Sequence, residues 1–238
     1  MKTILKIIRN ILILCLIIIV GVASFVTYKG YEKYKTAINE IAIEQKIEEI
    51  KSNKTYTTLE EMPKIYKDAV VATEDRRFYD HTGIDIISLG RAIFTDIRKK
   101  ELAEGGSTIT QQLAKNSYFT QEASATRKIA EVFMAQQYEK NCSKDEILEY
   151  YLNTCYFGDG CYSVKEASKK YFEKEPLEMS DYECIMLAGI PNAPSVYAPT
   201  KNPDLAMQRA KQVLYKMKKY GYLTEEQVNK IKEENGLE

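Results

Sequence analysis

Apolar residues crowd the start of the chain and then thin into a helical rhythm. From Ile11 to Val26 the run ILILCLIIIVGVASFV carries no charge. With Ile7 and Ile8 ahead of it, it approaches the ~20 residues that cross a bilayer. A cleaved signal peptide is the rival reading, because Val22, Ala23 and Ser24 form a small-residue pattern, but the run exceeds the ~7 to 15 apolar residues of such a signal. We therefore read an uncleaved transmembrane helix. Lys2, Lys6 and Arg9 precede it and Lys29, Lys33 and Lys35 follow it, so charge alone does not orient the span.

Beyond the span, residues 29–56 are rich in Lys, Glu and Tyr and read as a helical stalk, a spacer broken at Ser52 to Lys54. The rest is patterned for helices. Thr58-x-x-Glu61, Ser143-x-x-Glu146, Ser180-x-x-Glu183 and Thr224-x-x-Gln227 are capping-box patterns, each ahead of a plausible helix, and alternating strand patterns are scarce. The expected architecture is mainly α: a tip and membrane anchor over 1–28, the stalk over 29–56 and one domain over 57–238.

Within that domain one helix carries polar residues where an apolar stripe would be usual. In GGSTITQQLAKN, Gly105 to Asn116, Thr108, Gln111, Gln112 and Lys115 recur at i, i+3, i+4 and i+7. They share a face that normally would be apolar and buried. Two acidic clusters accompany it. Glu74 and Asp75 sit beside Arg76, Arg77, Phe78 and His81, and Arg127 and Glu131 stand four apart on one helical face. Each alone reads as an ordinary salt-bridged surface; three such polar clusters on one helical domain argue against that reading.

Composition removes several alternatives. The 238 residues hold 34 basic and 34 acidic side chains, so no global field argues for nucleic acid. One histidine cannot make a His-rich zinc site, and no phosphate-binding loop of the G-x-x-x-x-G-K-[ST] type occurs. No Ser-x-x-Lys occurs either, which removes a penicillin-type acyl-transfer site from this chain. Cys142, Cys155, Cys161 and Cys184 could pair three ways or stay as free buried thiols, and their spacing selects neither.

Five segments, EDRRFYDHTGID, GGSTITQQLAKN, RKIAEVFMAQQYEK, KDEILEYYLNTCYFG and ECIMLAGIPNAPSVYAP, occur in the order of the motifs of the peptidoglycan glycosyltransferases, family 51 of the glycosyltransferases. The chain resembles the monofunctional members of that family between about Thr57 and Tyr222. The resemblance implies a lysozyme-like helical glycosyltransferase domain with an N-terminal transmembrane helix, held on the outer face of the cell membrane by a single pass. It implies polymerisation of lipid II into glycan strands with release of polyprenyl pyrophosphate.

By the same resemblance Glu74 is the general base and Glu131 the second acid, which orients the acceptor, positions a metal or holds Arg127. Lys115 and Arg127 would meet the pyrophosphate, with Ser107, Thr108, Gln111 and Gln112 along the cleft and the amides after Gly105 and Gly106 approaching phosphate. Asp75 and His81 would brace Glu74, Phe78 would shape its pocket, and Asn116, Lys128 and Glu139 are further motif positions. A divalent cation, Mg or Mn, could share the charge. Implied partners are lipid II, the lipid-linked growing glycan, the membrane and other cell-wall synthases. Ile84 to Phe94 has an apolar face that could enter the membrane interface. Cys155, Cys161 and the YSVKEAS segment depart from the family pattern at packing positions. A glycan-cleaving enzyme of lysozyme-like fold and a non-catalytic anchored scaffold are the rival readings.

Overall fold

The computed structural model describes residues 2–90, 106–120 and 122–237. Among the described residues, ten helices of nine residues or more organise it: α1 (Lys2–Glu40), α2 (Ile43–Lys51), α3 (Lys64–Glu74), α4 (Ile109–Tyr118), α5 (Ala125–Asn141), α6 (Lys144–Leu152), α7 (Val164–Phe172), α8 (Asp181–Gly189), α9 (Pro203–Lys219) and α10 (Glu225–Asn235). Among the described residues the only ladder pairing is an isolated bridge between Gly158 and Cys161, so the fold is mainly α.

The caps form where the pattern places them. Thr58, Ser143, Ser180 and Thr224 each close a capping box with the Glu or Gln three residues on. The box at Thr58 opens only a single 3-10 turn, Leu59–Glu61.

Helices α3, α8 and α9 pack on one another, as do α4, α5 and α6, and α1 lies against α5. The core joins them through Tyr66, Phe78, Ile109, Leu113, Met134, Tyr138, Tyr151 and Leu187, all fully buried. Asn153 fixes the chain's entry into the domain. Its side chain accepts from the Thr57 amide and donates to the Thr57 carbonyl, each at 2.8 Å. Buried at 4% exposure, it leaves no backbone group of Thr57 unpaired.

The apolar run is part of a helix of 39 residues, with a window of mean hydropathy 2.8 in which no residue is buried in the protein. That helix does not stop at the expected stalk boundary. It continues to Glu40, breaks at Ile41 and Ala42, and resumes as α2. The stalk is also not a free spacer, because Tyr34, Ile43 and Ile50 are buried against the domain. Phe133 of α5 lies between Tyr31 and Tyr34 at centroid distances of 5.2 and 5.7 Å, and Gln137 donates to the Tyr34 hydroxyl at 2.9 Å. A Cβ on Gly30 would come within 2.5 Å of Ile129, so only glycine permits this crossing.

All five cysteines are free. Burial pushes the thiols of Cys155 and Cys184 up to about 12 and that of Cys142 up to about 11, so they stay protonated and unreactive near neutrality. The helix begun at 86–90 exposes Ile86, Ile87 and Leu89, and residues 91–94 of the Ile84 to Phe94 segment lie outside the described residues.

Candidate active site

A cleft of about 330 Å3 opens where the two helix groups meet. Its walls come from the end of α3 (Thr73, Glu74), the segment after it (Asp75, Arg76, Asp85, Ser88), the start of α4 (Gly106 to Thr108, Gln112, Lys115), the turn at Pro191 and Asn192, and α9 (Arg209, Lys216, Tyr220).

Glu74 is the last residue of α3 and half-buried. Its carboxylate accepts from the Gln112 amide nitrogen at 2.9 Å, and the Gln112 amide oxygen accepts from the Tyr151 hydroxyl at 3.1 Å. Burial, with Cys155 and Glu74 adding to it, raises the Tyr151 phenol well above its ordinary value. Tyr151 therefore stays a donor, which fixes which end of the Gln112 amide faces Glu74. One Glu74 carboxylate lone pair is taken by Gln112, and the cleft surface leaves the rest accessible.

Asp75 and His81 do not bond to Glu74. Asp75 turns away, holds the His81 Nε2 at 2.9 Å and accepts from the Ile109 amide at 3.1 Å. The pair thus ties the end of α3 to the first turn of α4, where a carboxylate also meets the positive end of the helix dipole. Phe78 is not among the residues that line the cleft. It is fully buried, with its ring edge-on to His81 at 6.3 Å and the Lys144 ammonium 4.4 Å from its centroid.

The polar stripe divides. Thr108, Gln112 and Lys115 line the cleft. Thr108 is the N-cap of α4, accepting from the Gln111 amide at 3.1 Å and donating to the Gly83 carbonyl at 2.7 Å. Gln111 closes that capping box through the Thr108 amide at 3.0 Å and is buried at 4% exposure, away from the cleft. Asn116, half-buried, does not line the cleft, and Gly105 lies outside the described residues.

Glu131 is no solvent-facing acid. At 1% exposure it sits behind the cleft wall, with Arg127 Nε and Lys128 Nζ each 2.9 Å from its oxygens. The Arg127 contact is too bent for a hydrogen bond, and that guanidinium also donates to the Thr120 carbonyl at 3.2 Å. Arg127 is thereby turned from the cleft, whereas Lys128 reaches the rim by donating to Ser107. Glu139 accepts from Thr110 and Lys144 and braces α4 on α5.

Sequence reasoning missed the wall formed by α9. Arg209 donates to the Gly189 carbonyl at 3.2 Å, close enough that a Cβ on Gly189 would meet its Cγ at 2.8 Å. Lys216 donates at 3.0 Å to the Thr73 carbonyl, in the last turn of α3 beside Glu74, where a cation suits the negative helix end. Asp85 is buried beside Arg77; burial opposes its charge, but hydrogen bonds from Ser88 and the Arg77 guanidinium outweigh it and hold the carboxyl below its usual range. Residues 209, 216 and 220 are seven and four apart, a helical face visible in the sequence.

Among the described residues the arrangement sets one accessible carboxylate, that of Glu74, among Arg76, Lys115, Arg209 and Lys216. Such a group can take a proton from a hydroxyl while fixed cations receive a departing anion. A divalent cation finds no ready protein cage: no three His, Cys, Asp or Glu side chains converge among the described residues, and Glu131 is already held by two cations.

The family model described as Transglycosylase matches residues 42–218. Penicillin-binding protein 1A/1B of Bacillus subtilis (strain 168) is 41% identical over 203 residues, 85% of this chain and 21% of that protein. Penicillin-binding protein 1F of the same organism is 45% identical over 172 residues, 72% of this chain and 24% of its own. Penicillin-binding protein 1A of Neisseria flavescens is 43% identical over 180 residues, 75% of this chain and 23% of its own. The chain thus spans less than a quarter of the length of these relatives. A crystal structure of penicillin-binding protein 1A from Haemophilus influenzae aligns with 73% of this chain and 16% of its own at a TM-score of 0.43 and 22% identity.

Proposed function

This chain belongs to the Transglycosylase family, and on that premise we propose that it is a membrane-anchored peptidoglycan glycosyltransferase that polymerises lipid II. The observation that carries the reading is Glu74, held by Gln112 in a cleft whose other walls bring Lys115, Arg209 and Lys216. A sugar hydroxyl is a poor nucleophile, and Glu74 takes its proton as the oxygen attacks the anomeric carbon of the lipid-linked donor. The C–O bond to the pyrophosphate breaks on the opposite side, so the new linkage is inverted. The negative charge on the polyprenyl pyrophosphate is met by Lys115, with Lys128 behind Ser107 adding to the field.

Glu131 acts through its neighbours in this reading: it holds Arg127 and Lys128 in place. The apolar part of α1 supports a single membrane pass that keeps the cleft beside lipid-linked substrates, and the family resemblance supports an outer-face location. If Mg or Mn takes part, it would arrive with the pyrophosphate and supply extra positive charge.

The purified chain, given labelled lipid II in detergent micelles, should make long strands that lysozyme cuts. Cleavage of preformed glycan without synthesis would instead identify a hydrolase, and neither activity a scaffold.

A further inference from the structure

A second depression, of about 400 Å3, runs along the outer side of α9 and is lined by Lys211, Gln212, Tyr215, Lys216, Lys219 and Tyr220. These are three pairs spaced four apart, one stripe of the helix. Lys216 and Tyr220 also line the cleft, so the depression adjoins it. From Lys211 to Tyr220 the chain rises about 14 Å along the helix, room for more than one sugar ring.

The stripe alternates cations with rings. The Lys219 ammonium lies 5.7 Å from the centroids of both Tyr215 and Tyr220, and the Arg76 guanidinium 5.0 Å from that of Tyr220. Tyr215 is 63% exposed, a large ring turned to solvent. The lining holds three lysines and no acid.

We propose that this stripe binds the glycan strand as it leaves the cleft, an inference that rests on the polymerase reading above. Tyrosine rings offer flat apolar faces to the C–H faces of pyranoses. The lysines suit carboxylates on the peptide branches of the strand. Adjacency to the cleft selects this occupant, because whatever extends from the bound sugars over Tyr220 passes along Tyr215 and Lys219. A second hold keeps the strand end at a high effective concentration beside Glu74, so it re-enters before diffusing away. The strand then grows further per encounter.

The test is the full chain carrying Tyr215→Ala with Lys219→Gln, both outside the cleft lining, in detergent micelles with labelled lipid II. At equal lipid II consumed, mean product length should fall about threefold or more, and affinity for soluble, uncrosslinked, peptide-bearing glycan strands about tenfold. Both deficits should shrink as salt is raised above about 0.1 M, because exposed cations are then screened in the wild type too. Unchanged length and strand affinity in a variant with wild-type melting would overturn the proposal. So would unchanged strand affinity alongside lost binding to vesicles of anionic phospholipid, which would assign the stripe to a membrane surface. A wild-type chain that makes no polymer overturns the polymerase reading instead, and the strand-affinity arm still judges the stripe.

Discussion

At the scale of single residues, the chemistry converges on the row Tyr151, Gln112, Glu74. A buried phenol orients an amide, and the amide presents its N–H to the carboxylate that would act as base. Glu74→Gln keeps size and most hydrogen bonding but cannot accept a proton, so polymerisation should drop by roughly 10²- to 10⁴-fold while the fold survives. A folded Glu74→Gln enzyme of near-normal rate would remove Glu74 from its role. Tyr151→Phe asks a subtler question. It deletes one hydrogen bond worth about 1 kcal/mol and frees the Gln112 amide to turn over. Turnover should fall by about fivefold, the rate equivalent of that energy, with KM unchanged. A rise in KM at constant kcat would mean that the row binds substrate and does not orient the base.

At the scale of elements, helix starts were the most legible feature, because a capping box is local: a hydroxyl, two spacers and a Glu or Gln suffice. The same rule exposes the misreading of Gln111. Thr108-x-x-Gln111 is a capping box of the same form as the other four, and it takes the Gln111 side chain into the helix start while Thr108 both caps the helix and lines the cleft. The helical face they share with Gln112 and Lys115 was real, yet half of it serves the cap. Glu131 could be placed on a face with Arg127 but not assigned to the inside of the wall, since burial depends on what packs against α5. The α9 wall was out of reach for a related reason: Lys216 meets Thr73 across 143 residues of chain, and no local pattern reports that contact. Gly30 belongs here too, an unremarkable residue of a long helix until α5 is laid against it. Gly30→Ala gains about 1 kcal/mol of helix propensity but forces overpacking that costs about 1–3 kcal/mol. Gly30→Leu should be much worse. Hydrogen exchange should show lost protection over residues 30–40 in the leucine variant, and unchanged protection there would mean that the crossing is not tight.

At the scale of the whole molecule, α1 joins two environments. Its first part is apolar and uncovered, whereas its last turns sit on the side of α5 opposite Arg127, Lys128 and Glu131. The helix can therefore act in two separable ways, as a tether to the bilayer and as a wall that holds the cation-bearing helix in place. Two truncations distinguish them. Removing residues 1–25 deletes the tether but keeps Gly30, Tyr31 and Tyr34 on Ile129 and Phe133. Removing residues 1–42 also uncovers Phe133 and leaves Gln137 without its tyrosine partner. In vesicles with dilute lipid II both should be slow, because enzyme and substrate no longer share a surface and the effective concentration is lost. In micelles with concentrated lipid II the shorter deletion should recover most of its rate. The longer one should not, and its domain should melt several degrees lower, since a ΔΔG of 1 kcal/mol moves the midpoint of a domain this size by about 2–4 °C. Equal recovery of both would reduce α1 to a tether, and failure of both would make the apolar segment itself part of the working enzyme.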